Sequence, residues 1–342
     1  MEGSPPRILW REIIMAENKK LKITVVGCGR WGSLITWYLD RKGHSLTLYG
    51  RESSAYMQRF LSERRNDLLE LGESVALSTS YDSLADADII IISIASQALR
   101  GFMREIAPLG LRNKIFVLCM KGIEIGTCKR LSEIARENTD VTNKIAVWLG
   151  PGHVQEFYAG IPNCMVIDSE DNDVKKLLVD EFSSDLIRFY YGTDIIGNEV
   201  GAAAKNVIGI AAGILDGLGL RTLKGALMSR GTHEIARLIV AMGGSELSAY
   251  GLCHLGDYQA TVFSEYSHNR MFGEKFVRGK EYDSLAEGFY TVKAMMELSE
   301  KYGVELPICE AIYKVLYCSC DVRETLDGLF RRSLKYEQQM GK

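Results

Sequence analysis

The pattern of apolar residues changes near residue 194, and this change limits the folds open to the chain. Before it, short apolar runs rich in β-branched residues alternate with helical periods. Buried apolar strands that alternate with helices indicate a largely parallel, doubly wound sheet. The predicted strands are 22–26, 45–49, 88–94, 114–120, 144–149, 164–168 and 186–191, and the predicted helices between them are 32–41, 96–106, 127–137 and 171–182.

After residue 194 the strand signal fades and helical periods continue. The helices predicted there are 195–216, 220–242, 269–278, 284–302 and 307–318. A length of 342 residues suits two domains. We therefore predict an extension at 1–20, an α/β domain at 21–194 and a mostly helical domain at 195–335.

Composition excludes several classes of function. The chain is 46% hydrophobic and 25% charged with a net charge of −3, which is typical of a soluble globular protein and not of a nucleic-acid-binding one. The first twenty residues contain three glutamates and fit neither a signal peptide nor a transit peptide, and the longest apolar run is short for a membrane span. The eight cysteines include no CxxC pair, so we expect reduced thiols, no metal site and a cytoplasmic protein.

A glycine motif follows the first predicted strand. Residues 27–32 read Gly-Cys-Gly-Arg-Trp-Gly and lead into a predicted helix. In such a GxGxxG motif Gly27 permits a tight turn, Gly29 lets a pyrophosphate approach the backbone, and Gly32 lets helix and strand pack closely. The helix N-terminus then faces the anion. This context predicts a Rossmann-like, dinucleotide-binding domain, and the alternative is a glycine-rich turn that binds nothing.

The end of the second predicted strand bears on the choice of cofactor. An NAD-selective site places an acidic residue here for the ribose hydroxyls, whereas this chain has Gly50 and Arg51 before Glu52. A guanidinium suits a 2′-phosphate, so we favour NADP(H) over NAD(H). The alternative is that Arg51 stacks on the adenine or faces water.

A single charge interrupts the most apolar helix. Lys205 is the only charged residue between Glu199 and Asp216. A buried ammonium is costly unless it is paired, so its presence predicts a functional lysine. The alternative is a tightly packed helix pair from which the lysine tip reaches solvent. Glycines at intervals of four place a narrow stripe on the same face, which another surface or a ligand would approach closely: Gly197, Gly201, Gly209 and Gly213.

Further polar residues follow two strands. Lys121 comes directly after strand 114–120, and the loop 150–153 (Gly-Pro-Gly-His) follows the next strand. The carboxyl ends of parallel strands bind ligands in doubly wound folds, although a lysine in a loop is often only solvated.

A second polar segment lies in the helical half. Asp257 and Thr261 are four residues apart and share a face if they are helical, and the carboxylate can pair with a buried lysine. Ser267, Asn269 and Arg270 have donors that suit a phosphate, and the alternative is an ordinary loop that caps a helix.

Together these segments resemble the NAD(P)-dependent glycerol-3-phosphate dehydrogenases. The resemblance extends from about Lys22 to Arg331 and rests on motifs in the same order and spacing. The motifs are GCGRWG (27–32), CMKGIE around Lys121, EVGAAAKNVIGIAAGILDGLG (199–219), SRGTHEIARL (229–238), HLGDYQATVFSEYSHNRMFG (254–273) and AEGFYT (286–291).

The resemblance implies reversible, NAD(P)H-dependent reduction of dihydroxyacetone phosphate to sn-glycerol 3-phosphate, a reaction that supplies glycerophospholipid synthesis, in a homodimer. It implies Lys205 as the general acid and base. The implied catalytic residues are Lys205, Lys121, Asp257 and Thr261. The implied substrate-binding residues are Lys121, Gly150, Gly152, Ser267, His268, Asn269 and Arg270. The implied cofactor-binding residues are Gly27, Gly29, Arg30, Trp31, Gly32, Arg51, Val154 and Glu287.

Two residues depart from the family pattern. His268 stands where members usually have arginine, and Gly152 stands where they have serine or threonine. These departures leave two alternatives: a related dehydrogenase of a hydroxyacid or a ketopantoate-like substrate, and a catalytically silent nucleotide-binding regulator.

Overall fold

A computed structural model describes residues 20–334 and 336–337 of the chain. The extension predicted at 1–20 therefore lies, apart from Lys20, outside the described residues.

One eight-stranded sheet forms the first half of the molecule, in the order β3-β2-β1-β4-β5-β6-β7-β8. Neighbouring strands are parallel except for the antiparallel pair β6–β7. The strand order reverses between β1 and β4, which is the topological switch point where doubly wound sheets bind ligands. The strands are β1 Lys22–Val26, β2 Ser45–Tyr49, β3 Ala76–Ser78, β4 Ile89–Ile92, β5 Ile115–Leu118, β6 Lys144–Leu149, β7 Asn163–Ser169 and β8 Ile187–Tyr191.

The sequence predicted every strand of this sheet except β3. That strand has three residues, Ala-Leu-Ser, and none of them is fully buried, so it gives no apolar run. The helices among the strands are α1 Arg30–Arg41, α2 Ala55–Glu63, α3 Asp82–Ala85, α4 Leu99–Ile106, α5 Leu131–Glu137, α6 Val154–Tyr158 and α7 Asn172–Phe182. The prediction omitted the helices α2, α3 and α6.

The starts of α1 and α5 are among the helix starts that differ from the prediction. The helix α1 begins at Arg30, two residues before the predicted start, so it follows the second glycine of the motif directly. The helix α5 begins at Leu131 and not at residue 127, because Ile123 and Arg130 form an antiparallel bridge and Cys128 between them has φ +58°.

Helices make up the second half: α8 Ile195–Gly217, α9 Lys224–Ala241, α10 His268–Val277, α11 Glu287–Tyr302, α12 Pro307–Tyr317 and α13 Val322–Phe330. The helix α8 is the centre of this domain, and its apolar side chains share one core with those of α9, α11 and α12. The segment between α9 and α10 contains short 3₁₀ turns and the π-helical turn Gln259–Phe263. The helix α13 was not predicted.

Buried contacts join the two halves. Glu199 on α8 accepts a hydrogen bond from the Ser132 backbone N–H at 2.9 Å at the start of α5, and it pairs with Arg130 at 2.6 Å. Burial raises the pKa of Glu199, against the opposing effect of Arg130. Ala202 and Cys253 also belong to the apolar core of the sheet. The helix α8 is thereby fixed beneath the crevice of the sheet.

Within the described ranges, α8 is the one helix whose length and composition would allow it to cross a membrane. Its most apolar window is 89% buried inside the protein, as expected for the core helix of a globular domain. All eight cysteines are described as free thiols.

Candidate active site

The glycine motif forms a tight turn with an open face. Gly27 has φ +107°, and a Cβ atom there would lie 2.2 Å from the carbonyl oxygen of Ser93. A Cβ at Gly32 would lie 1.9 Å from the carbonyl oxygen of Gly27, whereas a Cβ at Gly29 would meet no atom within 4 Å. The first and third glycines thus close the turn, and the second leaves its backbone accessible. The N-terminus of α1 faces this space with no acidic side chain in its first turn, so the loop fits a pyrophosphate.

Arg51 lies at the far end of β2, beside an open depression. The depression is lined by Tyr49, Arg51, Glu52, Ser53, Thr79 and Tyr81. The Arg51 guanidinium pairs with Glu105 at 3.4 Å, and both side chains are exposed. Exposed pairs of this kind contribute little free energy, so this guanidinium can turn towards an anion in the depression.

Asp257 brings the two lysines together. Its Oδ2 atom lies 2.7 Å from Lys121 Nζ and 3.1 Å from Lys205 Nζ. Lys121 also donates to the carbonyl oxygen of Gly150 at 2.7 Å, and Lys205 donates to Thr261 Oγ1 at 2.8 Å. Two ammonium groups, one carboxylate and one hydroxyl therefore meet at the carboxyl end of β5, where the sheet opens towards α8.

Burial controls the acidity of Lys205. Removal from water lowers its pKa to about 8, and the nearby Lys121 lowers it as well, while Asp257 opposes the shift. An ammonium with this pKa exchanges its proton close to neutral pH, as a general acid and base requires.

Buried His254 connects the segment that carries Asp257 to the helix α8. Burial lowers its pKa to about 4, so the ring is neutral at physiological pH. Its Nδ1 atom lies 2.8 Å from the carbonyl oxygen of Gly201, and its Nε2 atom lies 2.8 Å from the hydroxyl of Tyr258. The ring therefore donates to α8 through Nδ1 and accepts from Tyr258 through Nε2. His254 was not among the site residues predicted from the sequence.

The glycine stripe explains how this cluster fits against α8. A Cβ at Gly209 would lie 2.8 Å from Thr261 Cγ2, and one at Gly213 would lie 1.9 Å from the carbonyl oxygen of Arg270. The approaching surface is thus the segment from Thr261 to Arg270, which includes the start of α10. Lys205 is only 9% exposed and its ammonium is bonded inside the protein, so the alternative of a lysine tip reaching solvent is wrong.

The loop after β6 has no room for a side chain at position 152. Gly152 has φ +147°, and a Cβ there would lie 2.2 Å from the ring of Phe157. The Phe157 ring also packs against Trp31 of the glycine motif, with ring centroids 6.1 Å apart. Beside it, His153 Nε2 lies 2.9 Å from the carbonyl oxygen of Ala260. The departure at Gly152 is therefore a packing feature of this chain.

Val154 and Glu287 occupy two different environments. Val154 begins α6 with its side chain buried in the core of the sheet, so only its backbone faces the loop. Glu287 begins α11 and accepts a hydrogen bond from Ser96 Oγ at 2.7 Å, and burial raises its pKa. Ser96 follows β4 at the carboxyl edge of the sheet. Ser96 was not among the site residues predicted from the sequence, although its place after a predicted strand is a usable signal.

The residues at the start of α10 contact three different parts of the protein. Ser267 caps the helix by accepting from the Arg270 N–H at 3.3 Å. Asn269 donates to Asn206 at 3.0 Å, and accepts from the Gly288 N–H at 2.9 Å. His268 contacts Arg30 of the glycine motif. Asn206 was not selected from the sequence, although it follows Lys205 directly.

Arg270 does not join the cluster around Lys205. Its guanidinium pairs with Asp216 at 2.6 Å and with Glu274 at 3.2 Å. Asp216 lies about three turns along α8 from Lys205. The interpretation of Arg270 as a phosphate ligand therefore finds no support in its contacts.

Both halves of the chain are similar to one family. The family model described as NAD-dependent glycerol-3-phosphate dehydrogenase N-terminus matches residues 22–175, and the C-terminus model matches residues 194–327. The glycerol-3-phosphate dehydrogenase (NAD(P)+) of Prosthecochloris aestuarii is 34% identical over 335 residues, which cover 92% of this chain and 99% of that protein. The protein of the same name from Thermoanaerobacter sp. is 33% identical over 329 residues, covering 93% and 99%.

A solved structure has the same architecture. The glycerol-3-phosphate dehydrogenase of Coxiella burnetii superposes with a TM-score of 0.85 at 27% identity, covering 92% of this chain and 99% of that one. The similarity thus extends over both domains.

Proposed function

Because the chain belongs to the NAD-dependent glycerol-3-phosphate dehydrogenase family, we propose that it catalyses the reversible reduction of dihydroxyacetone phosphate to sn-glycerol 3-phosphate with NADPH or NADH. The observation that carries this proposal is the single Asp257 oxygen shared by Lys121 and Lys205. Two cationic donors that share one carboxylate at the carboxyl end of β5 support the binding of a phosphorylated ketone there.

The role of Lys205 follows from its pKa and its contacts. A bound nicotinamide supplies the hydride that is added to C2 of the ketone. The C2 oxygen gains a proton in the same reduction, and Lys205 with a pKa of about 8 is the donor. In the reverse direction the neutral amine accepts that proton. Thr261 and Asp257 orient the Lys205 ammonium, since both bond to Nζ.

Lys121 has a different task. It bonds to Asp257 and to the carbonyl oxygen of Gly150, and it is more exposed than Lys205. We assign it to the substrate, where its charge stabilises the alkoxide that develops at C2. Ser267 and Asn269 hold the start of α10 beside this cluster.

The residues present fit a dinucleotide along the crevice. The open backbone at Gly29 and the N-terminus of α1 suit the pyrophosphate, and Glu287 with Ser96 suits ribose hydroxyls at the other end. Arg51 beside the depression favours the 2′-phosphate of NADP(H) over NAD(H).

The proposed cellular setting follows from this activity. The product is a precursor for glycerophospholipids, and we expect a cytoplasmic homodimer.

We place the cofactor-binding domain at 21–194 and the helical substrate domain at 195–335.

A spectrophotometric assay tests the proposal. We expect oxidation of NADPH, and more slowly of NADH, when dihydroxyacetone phosphate is added to the pure protein. Turnover of 2-keto acids with none of dihydroxyacetone phosphate would favour the hydroxyacid or ketopantoate-like alternative. Tight NADPH binding without oxidation by any of these substrates would favour the silent regulator.

A further inference from the structure

Arg30 and His268 form a side-chain contact between the two domains. Arg30 is the first residue of α1 in the glycine motif, and His268 is the first residue of α10. One Nη atom of the Arg30 guanidinium contacts His268 Nε2. The two residues are 238 positions apart in sequence, so the contact depends on how the domains pack.

The chemistry of the pair leaves one permanent charge, on Arg30. A guanidinium can only donate, so His268 Nε2 accepts and the proton of the ring is on Nδ1. That atom lies 2.5 Å from the Tyr282 hydroxyl, to which it donates. Burial lowers the pKa of His268, and the charge of Arg30 lowers it further, which keeps the ring neutral.

The Arg30–His268 pair borders the lysine cluster. Asn269, next to His268, bonds to Asn206, and the latter follows Lys205 on α8. A Cβ at Gly209 would contact both Thr261 and Asn269, at 2.8 Å and 3.1 Å, so these two residues lie side by side on the same helix face. The Arg30 guanidinium is therefore connected to the residues around Lys205 through His268 and its neighbour Asn269.

Arg30 is also available to bind an anion. In the described part of the chain no carboxylate lies within ion-pair distance of Arg30, whereas Arg270, near His268 at the start of α10, is held by Asp216 and Glu274. The partner of Arg30 is a neutral ring nitrogen, which a phosphate oxygen would replace with a stronger, charge-assisted acceptor.

On the basis of the proposed function, we infer that Arg30 is the residue that binds the phosphate of the substrate, and that His268 is a positioning residue that aims the Arg30 guanidinium across the cleft. The substrate then connects the glycine motif of one domain to α10 of the other. This assigns Arg30 to the substrate and not only to the cofactor, and it gives position 268 a role that a neutral histidine can perform.

Kinetics of Arg30→Met and Arg30→Lys test the inference. Loss of a charge-assisted phosphate contact corresponds to an about 10- to 100-fold decrease in affinity. We expect Arg30→Met to raise KM for dihydroxyacetone phosphate by that factor and to abolish the preference over unphosphorylated dihydroxyacetone by the same factor. We expect kcat to change much less and Arg30→Lys to recover part of the loss. An unchanged KM, or a defect confined to NADPH binding, would overturn the inference.

Variants at position 268 test the positioning role. His268→Gln keeps a neutral acceptor for Arg30, so KM should stay near that of the wild type, whereas His268→Leu removes the acceptor and should raise KM. In the double variant Arg30→Met, His268→Arg, the cation moves to the opposite side of the same contact, and we expect KM to fall at least about tenfold relative to Arg30→Met. No recovery, together with an unaffected His268→Leu variant, would contradict the assignment.

Direct binding separates this inference from the proposed function. Calorimetry measures sn-glycerol 3-phosphate binding to the NADP⁺ complexes of wild type and Arg30→Met. Binding to the wild type without turnover would refute the proposed activity, and weaker binding to Arg30→Met would still support the phosphate assignment. Equal binding to both proteins would refute the assignment alone, and no binding to the wild type would refute both.

Discussion

Lys205 Nζ lies 3.1 Å from Asp257 Oδ2 in a site from which water is largely excluded. The carboxylate stabilises the ammonium, while burial and the charge of Lys121 destabilise it. The balance leaves the pKa of Lys205 at about 8, well below the ordinary value of 10.5. The geometry of this pair therefore sets the pH at which the lysine can exchange a proton.

The first prediction concerns pH. Because Lys205 must be protonated to act as the donor, kcat for ketone reduction should fall as the pH rises above about 8, and glycerol 3-phosphate oxidation should rise over the same range. In Asp257→Asn the charge that raises the Lys205 pKa is removed, so the inflection should move to lower pH. Profiles of kcat against pH in both directions measure this. Asp216→Asn, a control elsewhere on α8, should leave the inflection in place. If the inflection of the Asp257→Asn profile moved to higher pH, the account would be contradicted.

The second prediction concerns the glycine stripe. A methyl group at Gly213 would lie 1.9 Å from the carbonyl oxygen of Arg270, so Gly213→Ala should separate α10 from α8 and lower the free energy of unfolding by about 1–3 kcal/mol. Gly225 lies in α9 with no atom within 4 Å of such a methyl group. Gly225→Ala is therefore the matched control and should raise stability by about 0.5–1 kcal/mol. Urea unfolding measures the free energy of unfolding of the two variants. Equal changes in both would show that the close approach of α10 to α8 at Gly213 is unimportant.

The third prediction concerns cofactor choice. Arg51→Gln removes the guanidinium beside the depression at the end of β2. We expect KM for NADPH to rise about tenfold, as the loss of one charge-assisted contact implies, while KM for NADH stays unchanged. Steady-state kinetics with both cofactors measure the ratio of the two KM values. An equal rise in both KM values would indicate that Arg51 contacts a part of the dinucleotide that NADPH and NADH share.

The fold could be predicted from the sequence because its signals are local. The central strands of the sheet, such as Ile89–Ile92 and Ile115–Leu118, are buried on both faces and read as apolar runs. The strand β3 and the helix α13 escaped prediction because neither contains a fully buried residue, so no strong apolar pattern marks them. The predicted start of α5 was wrong because the positive φ of Cys128 depends on the bridge between Ile123 and Arg130, which the sequence does not indicate.

The site was only partly predictable. The sequence identified Lys205 because an unpaired charge on a buried helix needs a partner, and Asp257 supplies it. The direction of Arg270 could not be predicted, because residues two apart on a helix point about 200° apart, so His268 does not indicate where Arg270 points. The contact between Arg30 and His268 spans 238 positions and has no local signal.

The most direct test of the account compares Lys205→Met with the wild type in NADPH oxidation by dihydroxyacetone phosphate. Loss of the general acid should reduce kcat by about 10²- to 10⁴-fold, while NADPH binding is retained. Lys224→Met is the matched control, since Lys224 is also buried and pairs with Asp216 at 2.6 Å, away from the cluster. The account predicts that the control, when folded, keeps kcat near the wild-type value. Turnover by Lys205→Met at the wild-type rate would contradict the central claim.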